Sequence, residues 1–520
     1  MKRISFAKLA VLVAVGPAMA APAAASETSH NWPWEISGAQ NSSSISIELL
    51  PQSGVSGVER VNFGVPLPRG HLADPTELSV ADGDLELPAY ARPLAWYPDG
   101  SLRSVQVQVD VDVSSTEALE VRFGEPATAG SLDPVPVEDT LMSPSGSEGP
   151  RVFALLPPSW LASSGLVGPV PSSPPDTGMS TGAWSEVCDT DRYDTEHFLS
   201  SRGSRGSWLY DRPTALLRLH TVTGELSPLR SAYREAHIYR EAISGSGSGA
   251  RIGVPTAQND LKYHYTQGMG MLYLLTGDER LRDRVKDVAT RASDLWNPSY
   301  TPGGSFWTER HAAFGLLAYV WAARISDERR DEFLALADEA VDAYHDVQHV
   351  YPVGFESDDA RCFSHAASDA GESYGYEGCS PWLSAILADA LEEYADERGG
   401  ERAERARDSI VKLGRFFARF GIDAEGKPYY WLAGDGSRGE RDAAHEHWGE
   451  VPYVIALAYH HDGRRDESLR AAAREMIDGL ARHGVAPHIR SFNWQCRSAP
   501  LTPLYLDSRG DGPRPRAQNS

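Results

Sequence analysis

From about Pro213 to Gly484 the chain repeats one unit: a helix built almost wholly of apolar and small residues, a short polar turn, then a helix dense in charge. Hairpins of this kind are expected at about 213–243, 256–294, 308–346, 380–420 and 446–483. Their turns share a chemistry, as in Thr223-Gly224-Glu225, Thr276-Gly277-Asp278 and His461-Asp462-Gly463. A helix apolar on most sides belongs inside a fold, and one with a broad charged face belongs outside. Strict alternation of the two predicts a closed alpha/alpha toroid, against the alternative of an open helical solenoid. The loops leading into two of the inner helices, 349–379 and 421–445, are long. Long loops gathered at one end of a rigid scaffold carry function, which favours closure.

Upstream the pattern changes period. Ile45, Ile47 and Leu49 alternate with Ser46 and Glu48, and Val105, Val107, Val109, Val111 and Val113 alternate with Gln106, Gln108, Asp110 and Asp112. A period of two predicts strands with one face in a core and the other wet. Short strands separated by Pro, Gly and Asp turns place an antiparallel beta-sandwich or barrel at 42–170. The Pro-, Ser- and Gly-rich stretch from Pro157 to Thr181 reads as a linker, with 171–200 assigned to it, 201–506 to the toroid and 507–520 to a disordered tail.

Lys2, Arg3 and Lys8 precede an apolar run from Leu9 to Val15 and then Ala18-Met19-Ala20. This is the pattern of a secretory signal peptide over 1–20, too short for a membrane span, and it predicts a secreted or periplasmic protein. A formal charge of −23 disfavours nucleic acid and membrane surfaces as partners and leaves the oligomeric state open. If the substrate is a polyanion, the cleft has to carry a local basic patch against that field. Export permits disulfides, and of the three possible pairings Cys362–Cys379 and Cys188–Cys496 are favoured; the cysteine spacings fit no zinc pattern.

His264, His311, His365, His445 and His447 all fall at or just before the start of an inner helix. In a closed ring those starts converge on one mouth. Asn259-Asp260-Leu261-Lys262-Tyr263-His264-Tyr265 strings titratable and hydroxyl groups where apolar ones would pack more cheaply, although aromatic core residues with bonded polar tips explain it equally well. In Trp307-Thr308-Glu309-Arg310-His311, Thr308 and Glu309 suit a helix N-terminus, whereas Arg310 and His311 gain nothing from its dipole. Tyr374, Tyr376, Glu372 and Glu377 lie in the loop between Cys362 and Cys379, a candidate wall. His264, Tyr265, His311, Tyr374, Tyr376 and His447 are therefore the candidate proton-handling residues. Lys262, Trp307, Arg310, His365, Trp448, Arg490, Trp494 and Arg497 are the candidate substrate-binding residues. The pair His445-Glu446-His447 is too small a ligand set to argue for a metal. No cofactor is expected, and a structural or catalytic calcium stays open.

No nucleophile elbow, phosphate loop or dinucleotide fingerprint is present. Tryptophan and tyrosine in an open cleft favour a sugar, on whose faces their rings stack. Two chemistries fit. In beta-elimination on a uronic acid, a cation neutralises the carboxylate while Tyr or His takes the C5 proton. In hydrolysis two carboxylates flank the bond, and Asp260, Glu309, Glu377, Glu446 and Glu450 keep that option. The weight of His, Tyr and Arg favours elimination, and a glycan-binding protein without turnover is a third class.

Residues Asn62-Phe63-Gly64-Val65-Pro66-Leu67-Pro68-Arg69-Gly70, Pro88 and Arg92-Pro93-Leu94-Ala95-Trp96-Tyr97-Pro98-Asp99-Gly100-Ser101-Leu102-Arg103 resemble the N-terminal beta domain of the exo-rhamnogalacturonan lyase-like proteins. The resemblance covers roughly 58–113 and implies a beta domain ahead of an alpha/alpha toroid in a polysaccharide lyase. Its residues are turns and strand ends, so it bears on architecture and assigns no catalytic residue.

Overall fold

The computed structural model describes residues 42–170, 187–254, 259–299 and 307–507. The expected signal peptide and most of the tail lie outside the described residues.

The beta domain is two antiparallel sheets. Strands β1 (Ser44–Pro51), β3 (Leu78–Asp82), β4 (Leu85–Leu87), β7 (Ala118–Phe123) and β8 (Val152–Leu155) form the first, in the order β4-β3-β7-β1-β8. Strands β2 (Val58–Pro66), β5 (Ala89–Trp96) and β6 (Leu102–Asp112) form the second, in the order β2-β6-β5. Ile47, Val61, Phe63, Val80, Val105 and Val107 fill the core with at most 1 % exposure. The alternating pattern of β6 is present, but its polar face is wet only at Asp110 and Asp112. Ser104 and Gln106 are buried because they meet the end of a helix whose terminal carbonyls need donors, and Gln108 because it bonds the backbone of Val135.

The helical hairpins are α3 (Arg212–Thr223) with α4 (Leu226–Glu241), α5 (Gln267–Thr276) with α6 (Glu279–Leu295), α7 (Glu309–Ile325) with α8 (Arg330–Val350), α9 (Pro381–Arg398) with α10 (Gly400–Phe420), and α11 (Val451–His461) with α12 (Glu467–His483). The first helix of each pair is buried nearly all round, and the second keeps an exposed charged face. Inner helices touch in sequence, α3 to α5 to α7 to α9 to α11. Helices α13 (Ile489–Ser498) and α14 (Thr502–Asp507) close the ring, α13 against α3 and α14 against α11. The toroid is closed. Cys188 is bonded to Cys496 on α13, and Cys362 to Cys379.

The segment expected to be a linker is packed structure at both of its ends. Helix α1 (Pro158–Ser163) carries Trp160, which stacks on Phe123 at 5.3 Å and donates to the Pro66 carbonyl at 2.7 Å. Helix α2 (Thr195–Ser201), capped by Asp194, buries Phe198, and Tyr193 beside it is 1 % exposed. Residues 171–186 lie outside the described residues.

The beta domain covers the C-terminal ends of the inner helices. Asn62 donates to Thr276 O at 2.8 Å, Ser104 to Leu274 O at 2.6 Å and Arg92 to Gly277 O at 3.0 Å. Gly64 is needed there, since a Cβ would stand 2.2 Å from the Leu274 carbonyl oxygen. The residues that carry the sequence resemblance thus form the docking face. Behind it runs a buried polar chain, in which Gln267 bonds Glu393, Arg324 bonds Glu393 and Glu397, and Arg218 and Arg497 bond Asp389. The N-terminal ends of the inner helices face the other way, and the histidines lie there.

Candidate active site

Each inner helix delivers side chains from its first turn or from the residues just before it. Tyr210 precedes α3, and Lys262 to Tyr265 precede α5. Arg310 and His311 open α7, Trp382 opens α9, His447 and Glu450 precede α11, and Arg490 and Trp494 come from α13. They form one continuous set. Tyr210 lies 5.2 Å from Trp494 and 6.1 Å from Trp382, ring to ring. His447 stacks on Trp382 at 4.3 Å and lies 4.7 Å from Trp494. Tyr430, from strand β11 (Tyr429–Ala433), is 5.6 Å from His447 and donates to Glu372 at 3.0 Å. Arg310 donates to the Tyr210 hydroxyl at 2.9 Å.

On the neighbouring side Asp260 accepts from Lys262 Nζ at 2.8 Å and pairs with His311 Nε2 at 3.0 Å. His311 Nδ1 meets the Thr308 hydroxyl at 2.6 Å. Burial pushes the Asp260 carboxyl up, but the His311 and Lys262 contacts outweigh it and hold it well below the ordinary range. Burial lowers His264 and His311 to about 4, so both are neutral at pH 7. Tyr263, buried, is pushed up to about 12 by burial and the Asp260 charge, with Arg310 and Arg205 opposing.

The stapled arm forms a further wall. Its short strands β9 (His365–Ala366) and β10 (Glu377–Cys379) pair onto β11 and β12 (Gly439–Arg441) in the order β9-β10-β11-β12. Tyr374 stacks on Trp431 at 6.2 Å, and Tyr376 lies 6.2 Å from Tyr374 with Arg438 over its face at 3.7 Å. Burial and then the charges of Glu372 and Glu440 push Tyr374 up to about 12; Tyr376 is raised for similar reasons.

Several sequence candidates are enclosed by their own scaffold. Trp307, 4 % exposed, packs on Trp296 and Tyr344. Trp448 packs on the bare backbone of Gly479. His365 is locked to Glu309 at 2.9 Å, both fully buried, and Arg497 is bonded to Asp389 at 2.9 Å with 1 % exposure. Arg497 points into the polar chain under the site, because it lies two turns below Arg490 and one turn below Trp494 on α13. His264 and Tyr265 are also interior. Tyr265 accepts the Tyr210 amide at 2.9 Å and donates to Lys262 O at 2.7 Å, so it acts as a strut. His447 is neutral, lowered far by burial and by Arg490, with Nδ1 3.1 Å from Glu450. Lys262, Arg310, Tyr374, Tyr376 and Arg490 keep solvent-facing surface.

Sequence reasoning missed Tyr210, Trp382 and Tyr430. The first two had a signal, since each sits beside the proline that opens an inner helix, in Tyr210-Asp211-Arg212-Pro213 and Pro381-Trp382. Tyr430 had none, because a hairpin inside a long loop brings it in. His445 and His447 do not act together, as His447 turns inward to Glu450. Among the described residues no three His, Cys, Asp or Glu side chains gather as a cation's ligand set.

No curated protein sequence is significantly similar to the chain. Among solved structures, a glycosyl hydrolase of family 88 from Bacteroides vulgatus is similar at 12 % identity and a TM-score of 0.43, over 62 % of this chain and 96 % of that one. A polysaccharide lyase is similar at 12 % identity and a TM-score of 0.42, over 63 % and 97 %. Residues 43–123 match the family model of the PcRGLX-like N-terminal RIFT barrel domain, so the beta domain is of the rhamnogalacturonan lyase-like kind.

Proposed function

We propose that the protein is an exported polysaccharide-degrading enzyme, a lyase that cleaves a uronate-containing glycan by beta-elimination. The observation that carries this reading is the character of the mouth. Lys262, Arg310 and Arg490 stand among tyrosine hydroxyls in a chain whose formal charge is −23. A uronate carboxylate bound by these cations has its C5 proton acidified. A tyrosine at the mouth takes that proton as tyrosinate, with Tyr430, partly exposed and 5.6 Å from His447, the best placed. Electrons from the C5–H bond form the C4–C5 double bond, and the glycosidic oxygen leaves C4 with a proton from the site.

Hydrolysis is the second reading, and Glu450 is what favours it. Burial, aided by the charges of Asp442 and Glu446, keeps this carboxyl protonated well above the ordinary range, as a general acid requires. The partner carboxylate is harder to supply. Glu309 is bound to His365 and Ser380, Glu446 to Ser491, and Asp260 to Lys262 and His311. A panel of uronate polysaccharides, followed for the ultraviolet absorbance of an unsaturated product, tests the proposal. New reducing ends without that absorbance would establish the hydrolase instead, and binding without any product would mark a glycan-binding protein.

A further inference from the structure

Tyr210 and Asp211 are consecutive non-glycine residues at positive φ, 75° and 46°. Aspartate tolerates this region; tyrosine enters it rarely, so the turn is strained. The surroundings hold the strained turn at several points. The Tyr210 amide donates to the Tyr265 hydroxyl at 2.9 Å, and the Asp211 carboxylate accepts from Gly268 N at 3.0 Å. Asn493 donates to Leu209 O at 2.7 Å. Phe314, Trp382 and Trp494 enclose the ring, leaving Tyr210 with 0 % exposure.

A phenylalanine would fill that cage without bringing a hydroxyl into it. What the hydroxyl meets is Arg310, at 2.9 Å. Arg310 differs from the other deeply set arginines. Arg103, Arg212, Arg218, Arg324 and Arg497 are each paired with a carboxylate, and Arg361 is surrounded by backbone carbonyls. Among the described residues no carboxylate pairs with Arg310, and its Nε is buried without a hydrogen-bond partner. Asp260, whose field reaches it, is already bound to Lys262 and His311. A partly desolvated cation whose Nε is buried without a counter-charge is costly unless a ligand completes the pair.

We infer that Tyr210 is a positioning residue: its strained turn holds the Arg310 guanidinium in the orientation that receives a ligand carboxylate, so the site selects free uronates over their esters. This rests on the uronate reading above but not on elimination. A guanidinium fork matches a carboxylate in two parallel bonds, a fit that an ester oxygen without charge cannot repeat.

The test uses the full chain and measures binding of galacturonate, glucuronate, mannuronate and guluronate oligosaccharides, each as free acid and as methyl ester. The wild type is expected to bind at least one free acid about tenfold or more tighter than its ester, a difference of about 1.4 kcal/mol. Tyr210→Phe should reduce that ratio to within about threefold while keeping the melting temperature within a few degrees. Tyr265→Phe, which weakens the hold on the Tyr210 amide without touching the cage, should lower it part of the way and serves if Tyr210→Phe does not fold. A wild type indifferent to esterification would overturn both this inference and the uronate reading. A ratio lost in Arg310→Gln but retained in Tyr210→Phe or Tyr265→Phe would overturn this inference alone. Acid preference without unsaturated product would sink the lyase and leave Tyr210 in its role.

Discussion

Arg103, on β6 of the beta domain, reaches 2.7 Å from the carboxylate of Glu397 in the last turn of α9. Arg324 and Arg330 bind the same carboxylate, at 3.2 and 2.7 Å. Burial disfavours the Glu397 charge, but the three arginines win and lower its pKa to about 2. The two domains therefore share one buried ionic cluster. Removing one partner of such a pair costs about 3–5 kcal/mol, because the remaining charge stays buried. Arg103→Ala should sit near the low end, since two cations remain, and should lower the melting temperature of the whole chain in one transition. The double variant with Glu397→Gln should cost less than the sum of the two. Fully additive effects, or an early separate melting of the beta domain, would contradict this coupling.

The docking face makes a second prediction. At Gly64 an added methyl would stand 2.2 Å from a backbone oxygen of α5, which cannot swing aside as a side chain can. Overpacking of this kind costs about 1–3 kcal/mol. Ser104→Ala only removes the 2.6 Å bond to Leu274 O, worth about 1 kcal/mol. Thermal unfolding should rank Gly64→Ala below Ser104→Ala, and both below wild type. The reverse order would mean that the contact of β2 with α5 is loose.

How far the sequence could be read depended on what its patterns encode. The toroid was legible because burial on all sides leaves a continuous apolar record, as in Phe314 to Tyr319, and a charged outer face leaves an equally plain one. Gathering the chemistry at the inner-helix starts followed from that periodicity. The pattern of β6 was ambiguous, since Gln106 and Gln108 look the same whether they face water or the backbone of another segment. Direction was invisible too. Trp448, Arg497 and His365 have the right types at plausible positions, yet Arg497 lies a turn deeper than Trp494 on one helix face, and Trp448 and His365 turn into packing from a loop and a short strand. Tyr210 has its role through a backbone φ, and no single residue letter announces that.

The buried histidines predict a pH dependence of stability. His264 and His311 both fall from about 6.5 to about 4 on folding, mainly through burial. With the folded pKa depressed, the unfolded chain binds more protons between those values. The stability they contribute is complete above pH 6.5 and is lost as pH falls through 4. Each shift corresponds to about 3 kcal/mol at most. Melting temperature should drop steeply between pH 6.5 and 4. His311→Gln should flatten that slope, at some cost in stability at pH 7 from the weakened contacts to Asp260 and Thr308. An unchanged slope in this variant would show that the ring is already protonated in the native state.

The stapled arm yields the last prediction, which separates two roles for its tyrosines. Tyr374 differs from Tyr430 in its neighbours: Tyr430 lies beside His447 and Trp382, whereas Tyr374 lies on the arm beside Trp431 and Tyr376. Its ring stacks on Trp431 and keeps surface facing solvent, a geometry that suits a sugar face better than a proton. Tyr374→Phe, measured on whichever uronate glycan the enzyme turns over, should therefore keep turnover within about threefold of wild type. Tyr374→Ala removes the platform, and a ring contact worth about 0.5–1.5 kcal/mol predicts a KM raised about two- to tenfold with kcat nearly unchanged. Both variants should melt within a few degrees of wild type, because the arm is stapled at Cys362–Cys379 and Tyr374 packs on its outer side. A collapse of kcat in Tyr374→Phe with KM preserved would return this tyrosine to the proton-transfer step. A KM unchanged in Tyr374→Ala would remove the arm from substrate binding altogether.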